Sequence, residues 1–270
     1  MDRRVRRGRL SFDVRDEGSG PPVLLLHGFP QDSTSWRHVV PLLHAAGLRT
    51  ITMDQRGYSP GARPAPRAAY RLEFLVADAL AVLDDAGLER AHVVGHDWGG
   101  GVAWAAGALH PERVASLTVV STPHPAALSA ALPRSDQALR SSYMAFFQLP
   151  GLPERVLRTR LEQVLVSAGL PAEQARHYQE RMREPGAARG ALNWYRGAPL
   201  SRERAGRVRV PTTYVWGERD PYLGRRAAEL TRDHVRGDYE FVALPGGHWL
   251  PELSADAVAD AVVRRVRAQS

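Results

Sequence analysis

Val93-Val94-Gly95-His96-Asp97-Trp98-Gly99-Gly100, within a chain of 270 residues, reads as a buried strand that runs into a turn of small residues and then into a helix. G-x-D-x-G at a strand-to-helix junction is the setting of a nucleophile elbow, a sharp and strained turn that presents one reactive side chain. The flanking glycines let neighbouring backbone approach that turn without a Cβ in the way. The residue at the apex is Asp97, and this decides the chemistry. A serine must lose its proton as it attacks, whereas a carboxyl with an ordinary pKa of about 3.9 is already ionised at neutral pH. Asp97 can therefore attack an electrophilic sp³ carbon directly and form an alkyl ester on the protein. The competing reading is an aspartate that merely caps the following helix.

Such an ester must be hydrolysed, which requires an activated water and a place for the oxyanion that forms. His248, in Pro245-Gly246-Gly247-His248-Trp249, follows the last expected strand on a glycine-rich loop, and its neutral imidazole can take the proton of water. Asp220, in Trp216-Gly217-Glu218-Arg219-Asp220, follows the preceding strand and can hold His248 in one tautomer; Glu218 is its rival for that part. His38, His44, His110, His177 and His234 read as ordinary surface or core histidines. The oxyanion donors are expected to be the backbone N–H groups of Trp98 and of Phe29, in the loop after the early apolar strand.

Outward from the elbow, strands and helices alternate, the pattern of a mostly parallel sheet covered by helices on both faces. Strands are expected at Leu10 to Arg15, Val23 to Leu26, Leu48 to Met53, Ala91 to Val94, Val114 to Val120, Val208 to Trp216 and Tyr239 to Ala243. Helices are expected at Trp36 to Ala46, Tyr70 to Ala86, Val102 to Leu109, Pro221 to His234 and Ala255 to Val266. From Ser121-Thr122-Pro123-His124-Pro125 to about residue 205 the rhythm breaks into helical, Arg- and Pro-rich sequence without a convincing strand. The expected organisation is thus one sheet-forming core, 1–122 and 206–270, interrupted by a helical segment, 123–205.

The charge arithmetic, 36 − 29 = +7, accompanies a pI of about 10.3 because every basic residue is Arg, so no Lys titrates before the tyrosines do. A surplus of seven interleaved with acids is a modest argument for nucleic acid or an anionic membrane, and neither is expected as a partner. Arg3-Arg4 and Arg6-Arg7 invite comparison with a twin-arginine export signal, but no apolar stretch follows them. They read instead as a solvated strand edge. No run approaches the roughly 18 apolar residues of a membrane span, and the chain has no cysteine, which excludes disulfides, thiolate metal sites and thiol nucleophiles. A soluble, cytoplasmic protein is expected.

With these residues in place, the chain resembles the α/β-hydrolase superfamily and, within it, the epoxide hydrolase branch. His27-Gly28-Phe29-Pro30 is similar to the family's H-G-x-P loop, Gly95 to Gly100 reads G-H-D-W-G-G, and Asp54-Gln55-Arg56-Gly57-Tyr58 is similar to its D-x-R-G-Y motif. The resemblance covers the chain from Arg9 onward. It implies the α/β-hydrolase fold, with the helical segment as a cap over the site carrying two tyrosines that hydrogen-bond an epoxide oxygen. Leu192-Asn193-Trp194-Tyr195-Arg196 matches the second of these at Tyr195, and Tyr143-Met144-Ala145-Phe146-Phe147 resembles the first at Tyr143. Tyr178 reads as packing. Ser59 stands where many relatives carry glycine.

The implied activity is epoxide hydrolysis. Asp97 attacks, Tyr143 and Tyr195 assist the departing oxygen, and His248 with Asp220 activates water to release a vicinal diol. Trp98, Trp194 and Trp249 are expected at the substrate. Two alternatives stay open at this point. A haloalkane or haloacid dehalogenase would share Asp97 and His248, although Phe29 replaces a polar residue common in such enzymes and Trp98 stands where a fluoroacetate dehalogenase has Arg. The same fold can also serve as a non-catalytic ligand-binding protein. No cofactor and no metal are expected; the partners are a small epoxide and water, and a homo-oligomer is left open.

Overall fold

The alternation of strand and helix is realised as one eight-stranded sheet in a computed structural model that describes residues 2–269. Its strands are β1 (Asp2–Arg7), β2 (Leu10–Glu17), β3 (Pro22–Leu26), β4 (Arg49–Met53), β5 (Ala91–His96), β6 (Val114–Val120), β7 (Thr212–Gly217) and β8 (Tyr239–Leu244), in the spatial order β1-β2-β4-β3-β5-β6-β7-β8. β1, β2 and β4 pair antiparallel, and every pairing from β4 through β3 to β8 is parallel. The core helices of the first half are α1 (Val39–Ala45), α2 (Leu72–Asp85) and α3 (Trp98–Leu109). The interrupting segment forms α4 (Pro125–Ala131), α5 (Gln137–Arg140), α6 (Tyr143–Phe146), α7 (Leu152–Thr159), α8 (Leu161–Ser167), α9 (Ala172–Arg183) and α10 (Ala187–Gly197). The chain then returns to the core with α11 (Arg225–Leu230), α12 (Leu250–Leu253) and α13 (Ala255–Arg267).

The period of two along each strand divides the interior into two layers. Val23 and Leu25 of β3 join Val39 and Leu43 of α1 and Val258, Val262 and Val266 of α13 on one face. Leu24 and Leu26 point to the other, where Val82 of α2 and Val102 and Trp104 of α3 lie. Each fully buried aliphatic side chain contributes about 1.5–3 kcal/mol, so these two layers set the sheet's position before any polar contact is counted.

The Arg-rich start is the edge strand of the sheet, with β2 as its only strand neighbour. Its guanidinium groups pair with Asp16, Asp85, Asp13 and Asp78, and Val5 is buried at 1% exposure. A charged edge of this kind resists pairing with a second chain.

Four expected elements differ in extent. Val208 makes only an isolated bridge to Val235, because Pro211 has no N–H to give a ladder, and β7 begins at Thr212. The helix expected from Trp36 is preceded by a separate 3-10 turn, Ser33–Trp36, capped by the Asp32 carboxylate, which accepts the Thr34 N–H at 3.0 Å. Tyr70 closes another such turn, Arg67–Tyr70, so α2 begins at Leu72. The stretch from Pro221 starts as a loop, because Asp220 engages the amides of Tyr222 and Leu223, and α11 begins only at Arg225. Ser59 has a local reason: buried, it accepts the Asp13 N–H and donates to the Asp54 carbonyl, each at 2.8 Å, tying β2 to the loop after β4.

Within the interrupting segment, α4 packs against α11 and the turn Thr231–His234. The later helices reach the loops at the carboxyl ends of the strands. Arg181 of α9 pairs with Asp32 and Asp54, Trp194 of α10 donates to the Arg56 carbonyl at 2.7 Å, and Trp249 donates to the Ala168 carbonyl beyond α8 at 3.1 Å. Among the described residues, no helix is long and apolar enough to cross a membrane.

Candidate active site

The chain leaves β3 toward β4 on one side, whereas β5 lies on the other, and this divergence opens a crevice at the carboxyl ends of the parallel strands. Four loops meet there: His27 to Pro30 after β3, Asp97 after β5, Asp220 after β7 and His248 after β8.

Asp97 has φ +50° and ψ −120°, a conformation disfavoured for a side chain with a Cβ. Its surroundings fix it there. A Cβ on Gly28 would lie 2.4 Å from the Asp97 Cβ, and one on Gly95 would lie 2.3 Å from the Gly99 carbonyl, so the close approach of loop, strand and helix requires glycine at both positions. The Asp97 carbonyl accepts the Thr122 hydroxyl at 2.7 Å and the Gly101 N–H at 3.1 Å. As a helix cap Asp97 makes no side-chain hydrogen bond to α3. Its Oδ1 accepts the Phe29 N–H instead, at 2.7 Å, and the carboxylate sits before the positive end of the α3 dipole. Trp98 is the first residue of α3, where an amide has no acceptor within its own helix.

His248, 3% exposed, has Nε2 3.5 Å from Asp97 Oδ2 and Nδ1 2.7 Å from Asp220 Oδ2. The other Asp220 oxygen accepts the amides of Tyr222 and Leu223 at 2.8 and 3.0 Å. Glu218, the rival acid, pairs with Arg225 at 3.0 Å on the surface. Burial opposes charge on His248, but the charge and hydrogen bond of Asp220, reinforced by Asp97, outweigh it and push the imidazole up to about 10. Burial likewise opposes ionisation of Asp97, and the hydrogen bond and charge of His248, with His96 and the Phe29 amide, hold its carboxyl below the usual carboxylate value. The two shifts favour charge on His248 and on Asp97 together.

Tyr195 of α10 is 5% exposed, its ring 4.9 Å from Trp98 and 5.0 Å from Phe29. Tyr143 of α6 lies 6.0 Å from Tyr195, ring to ring, and 5.7 Å from Tyr222, whose ring in turn stands 5.0 Å from His248. Burial first, then the Asp97 carboxylate, pushes Tyr143 above its ordinary value; burial, Tyr143 and Asp97 do the same to Tyr195. Both shifts keep the phenols protonated across the physiological pH range.

The three tryptophans divide. Trp98 stands between Tyr195 and Trp194; Trp194 lies behind it, 5.9 Å away, with its N–H bound to Arg56; Trp249 packs 5.0 Å from His248. Tyr222 and Phe147, whose rings adjoin His248 and Tyr195, escape sequence reading, and the only signal for Tyr222 is its place two residues beyond Asp220. His177, read as ordinary, binds Asp32 at 2.8 Å. Among the described residues no group of three or more His, Asp or Glu converges in a way that could hold a metal ion.

A family model described as the alpha/beta hydrolase fold matches residues 21–255. The chain is 34% identical to Epoxide hydrolase A of Mycobacterium tuberculosis, over 94% of this chain and 93% of that protein. It is 35% identical to the AB hydrolase superfamily protein YfhM of Bacillus subtilis, over 86% and 85% respectively. Among solved structures, Epoxide Hydrolase A from Mycobacterium thermoresistibile superposes with a TM-score of 0.81 at 29% identity, covering 99% of this chain and 98% of that one.

Proposed function

The chain belongs to the α/β-hydrolase superfamily, and on that footing we propose that it is an epoxide hydrolase working through a covalent ester on Asp97. The observation that carries this reading is an imidazole 3.5 Å from the Asp97 carboxylate, together with two buried phenols on α6 and α10, 6.0 Å apart ring to ring, whose protons burial and the Asp97 charge both help to hold. An epoxide needs both, because its opening develops an alkoxide that must be given a proton. The homologues and the solved structures named as epoxide hydrolases support the same substrate class.

In this reading the two Asp97 oxygens take different parts. Oδ1 is already held by the Phe29 amide, so Oδ2 forms the bond to carbon while the epoxide C–O bond breaks and its electron pair takes a proton from Tyr143 or Tyr195. Oδ1 becomes the ester carbonyl oxygen, in place among its donors. Alkylation removes the Asp97 charge that helped to hold a proton on His248, so the imidazolium gives that proton up and the tyrosinate is neutralised. The neutral imidazole then takes a proton from water as the water attacks the ester carbonyl carbon. Collapse of the tetrahedral intermediate releases the diol, whose oxygen takes the carboxyl proton, and the imidazolium between two carboxylates is restored.

Halide release needs N–H donors and no acid. Here two buried phenols, Tyr143 and Tyr195, are present to give a proton, which favours the epoxide. Rapid-quench mass spectrometry after mixing with styrene oxide should find a hydroxyalkyl ester on the Asp97 peptide, followed by diol. Halide from a 1-haloalkane with no diol from styrene oxide would overturn the assignment, and neither product would favour a ligand-binding role.

A further inference from the structure

Asp220 sits at the head of a loop, Asp220-Pro221-Tyr222-Leu223-Gly224, that joins β7 to α11 and has no ladder of its own. Its backbone groups must therefore find partners elsewhere. The Asp220 N–H donates to the Gly217 carbonyl at 3.0 Å, and the Tyr222 and Leu223 N–H groups donate to Asp220 Oδ1 at 2.8 and 3.0 Å. The Leu223 carbonyl accepts the Trp216 indole N–H at 2.9 Å. The carbonyls of Asp220 and Tyr222 and the Gly224 N–H are met from across the chain, by two side chains of α5.

Gln137, wholly buried at the start of α5, donates from Nε2 to the Tyr222 carbonyl at 2.8 Å and accepts the Gly224 N–H on Oε1 at 2.9 Å. Its other N–H reaches the Ser141 hydroxyl at 2.9 Å. One turn on, Arg140 donates to the Asp220 carbonyl and to the Asp136 carboxylate, each at 2.8 Å. The Gln137 amide cannot be turned over, because that would set N–H against N–H at Gly224 and oxygen against oxygen at Tyr222. Burying an amide is costly unless its ends are bonded, and an apolar side chain of the same size would fill this space without that demand. What the amide adds is a fixed path for the loop.

That path leads to the base. Asp220 Oδ2 holds His248 Nδ1 at 2.7 Å while Oδ1 is held by the loop amides, so a shift of the loop passes directly to the imidazole. Tyr222 transmits it a second way, since its ring stands 5.0 Å from the His248 ring and 5.7 Å from that of Tyr143. We propose that Gln137, with Arg140, is a positioning residue of the reaction, reaching from α5 to hold the Asp220 loop where Asp220 meets His248. The step that depends on it is hydrolysis of the ester, in which His248 takes a proton from water and Asp220 stabilises the imidazolium that forms. Attack by Asp97 asks for no base. The proposal rests on the reading of His248 as the base of an ester-hydrolysing site.

Gln137→Met keeps the side chain's volume and removes both bonds to the loop. In the full chain with styrene oxide, rapid-quench kinetics should show ester hydrolysis slowed about tenfold, part of the 10²–10⁴ that a positioned base is worth, and alkylation changed by less than about threefold, so that the ester accumulates. Both steps slowed alike, as a general loosening of the fold would do, or neither slowed, overturns the proposal. Arg140→Leu, at a partly exposed position, should give the same pattern at about threefold and decides the matter if Gln137→Met does not fold; there too an equal effect on both steps, or none, overturns it. A second measurement needs no substrate. The low-field ¹H NMR signal of the His248 Nδ1–H bonded to Asp220 should move upfield or be lost to exchange in Gln137→Met, and an unchanged signal overturns the proposal. Absence of diol from the unaltered chain counts against epoxide hydrolysis and leaves that signal to decide the part of Gln137.

Discussion

With helices α4 to α10 taken as the cap of the proposed enzyme, the core and cap halves of the site are built by different forces. On the core side, Asp97, His248 and Asp220 sit at strand ends and are held by directional bonds, the Phe29 amide on Oδ1 and the amides of Tyr222 and Leu223 on Asp220. On the cap side, Tyr143 and Tyr195 ride on helices and are held by edge-to-face rings between 4.9 and 6.0 Å apart, with ion pairs such as Arg181 to Asp54 fastening the helices to the loops below. Backbone hydrogen bonds fix atoms to within tenths of an ångström, whereas ring contacts fix a shape. The difference suits the proposed work, in which a nucleophile and base require one geometry and the phenols follow an oxygen that moves as its ring opens.

The sharpest way to break the core half is Asp97→Ala, which should reduce diol formation on the order of 10⁴-fold or more and abolish the covalent adduct in rapid-quench mass spectrometry. Breaking the cap half with Tyr143→Phe and Tyr195→Phe together should reduce turnover by about 10²–10⁴, the worth of a positioned acid, while either change alone costs less because one phenol remains. Steady-state kinetics of the three variants decides it, and an intact rate in the double variant would remove the tyrosines from the scheme.

The halves should also differ in their response to pH. Since the folded pKa of His248 is raised, the stability gained from its charge is full below about 6.5 and fades as pH climbs toward about 10. Urea midpoints over that interval should fall, and Asp97→Ala should move the upper edge of the loss to smaller pH by removing one supporting charge. The smallest effect is expected at the cap fastening. His177, raised by its hydrogen bond to Asp32, is half exposed, so His177→Gln should lower Tm by only about 2 °C at acidic pH and by less above its raised value.

How far these halves were legible in the sequence follows from how local their signals are. The elbow is contiguous, Gly95 to Gly100, and its glycines are demanded by contacts with the loop and helix beside it, so the motif and the geometry are one fact. The alternating strands and the charged edge at Arg3 to Arg7 are equally local. The break at Pro211 and the 3-10 turn at Ser33–Trp36 depend on single backbone groups, which periodicity averages away. Phe147 and Tyr222 become neighbours of the site only through tertiary folding. Gln137 and Tyr222 lie 85 positions apart, and nothing in either segment announces the other.

Among the described residues other than glycine, only Asp97 and Ser121 have positive φ, and both serve the same pocket, the second by lending its hydroxyl to the His248 carbonyl. Glycine would relieve each of them. Heat tolerance and turnover therefore pull in opposite directions at these two codons, so a laboratory lineage screened only for survival on warming should discard them first. Their persistence through such a screen would mean that something other than catalysis is being preserved.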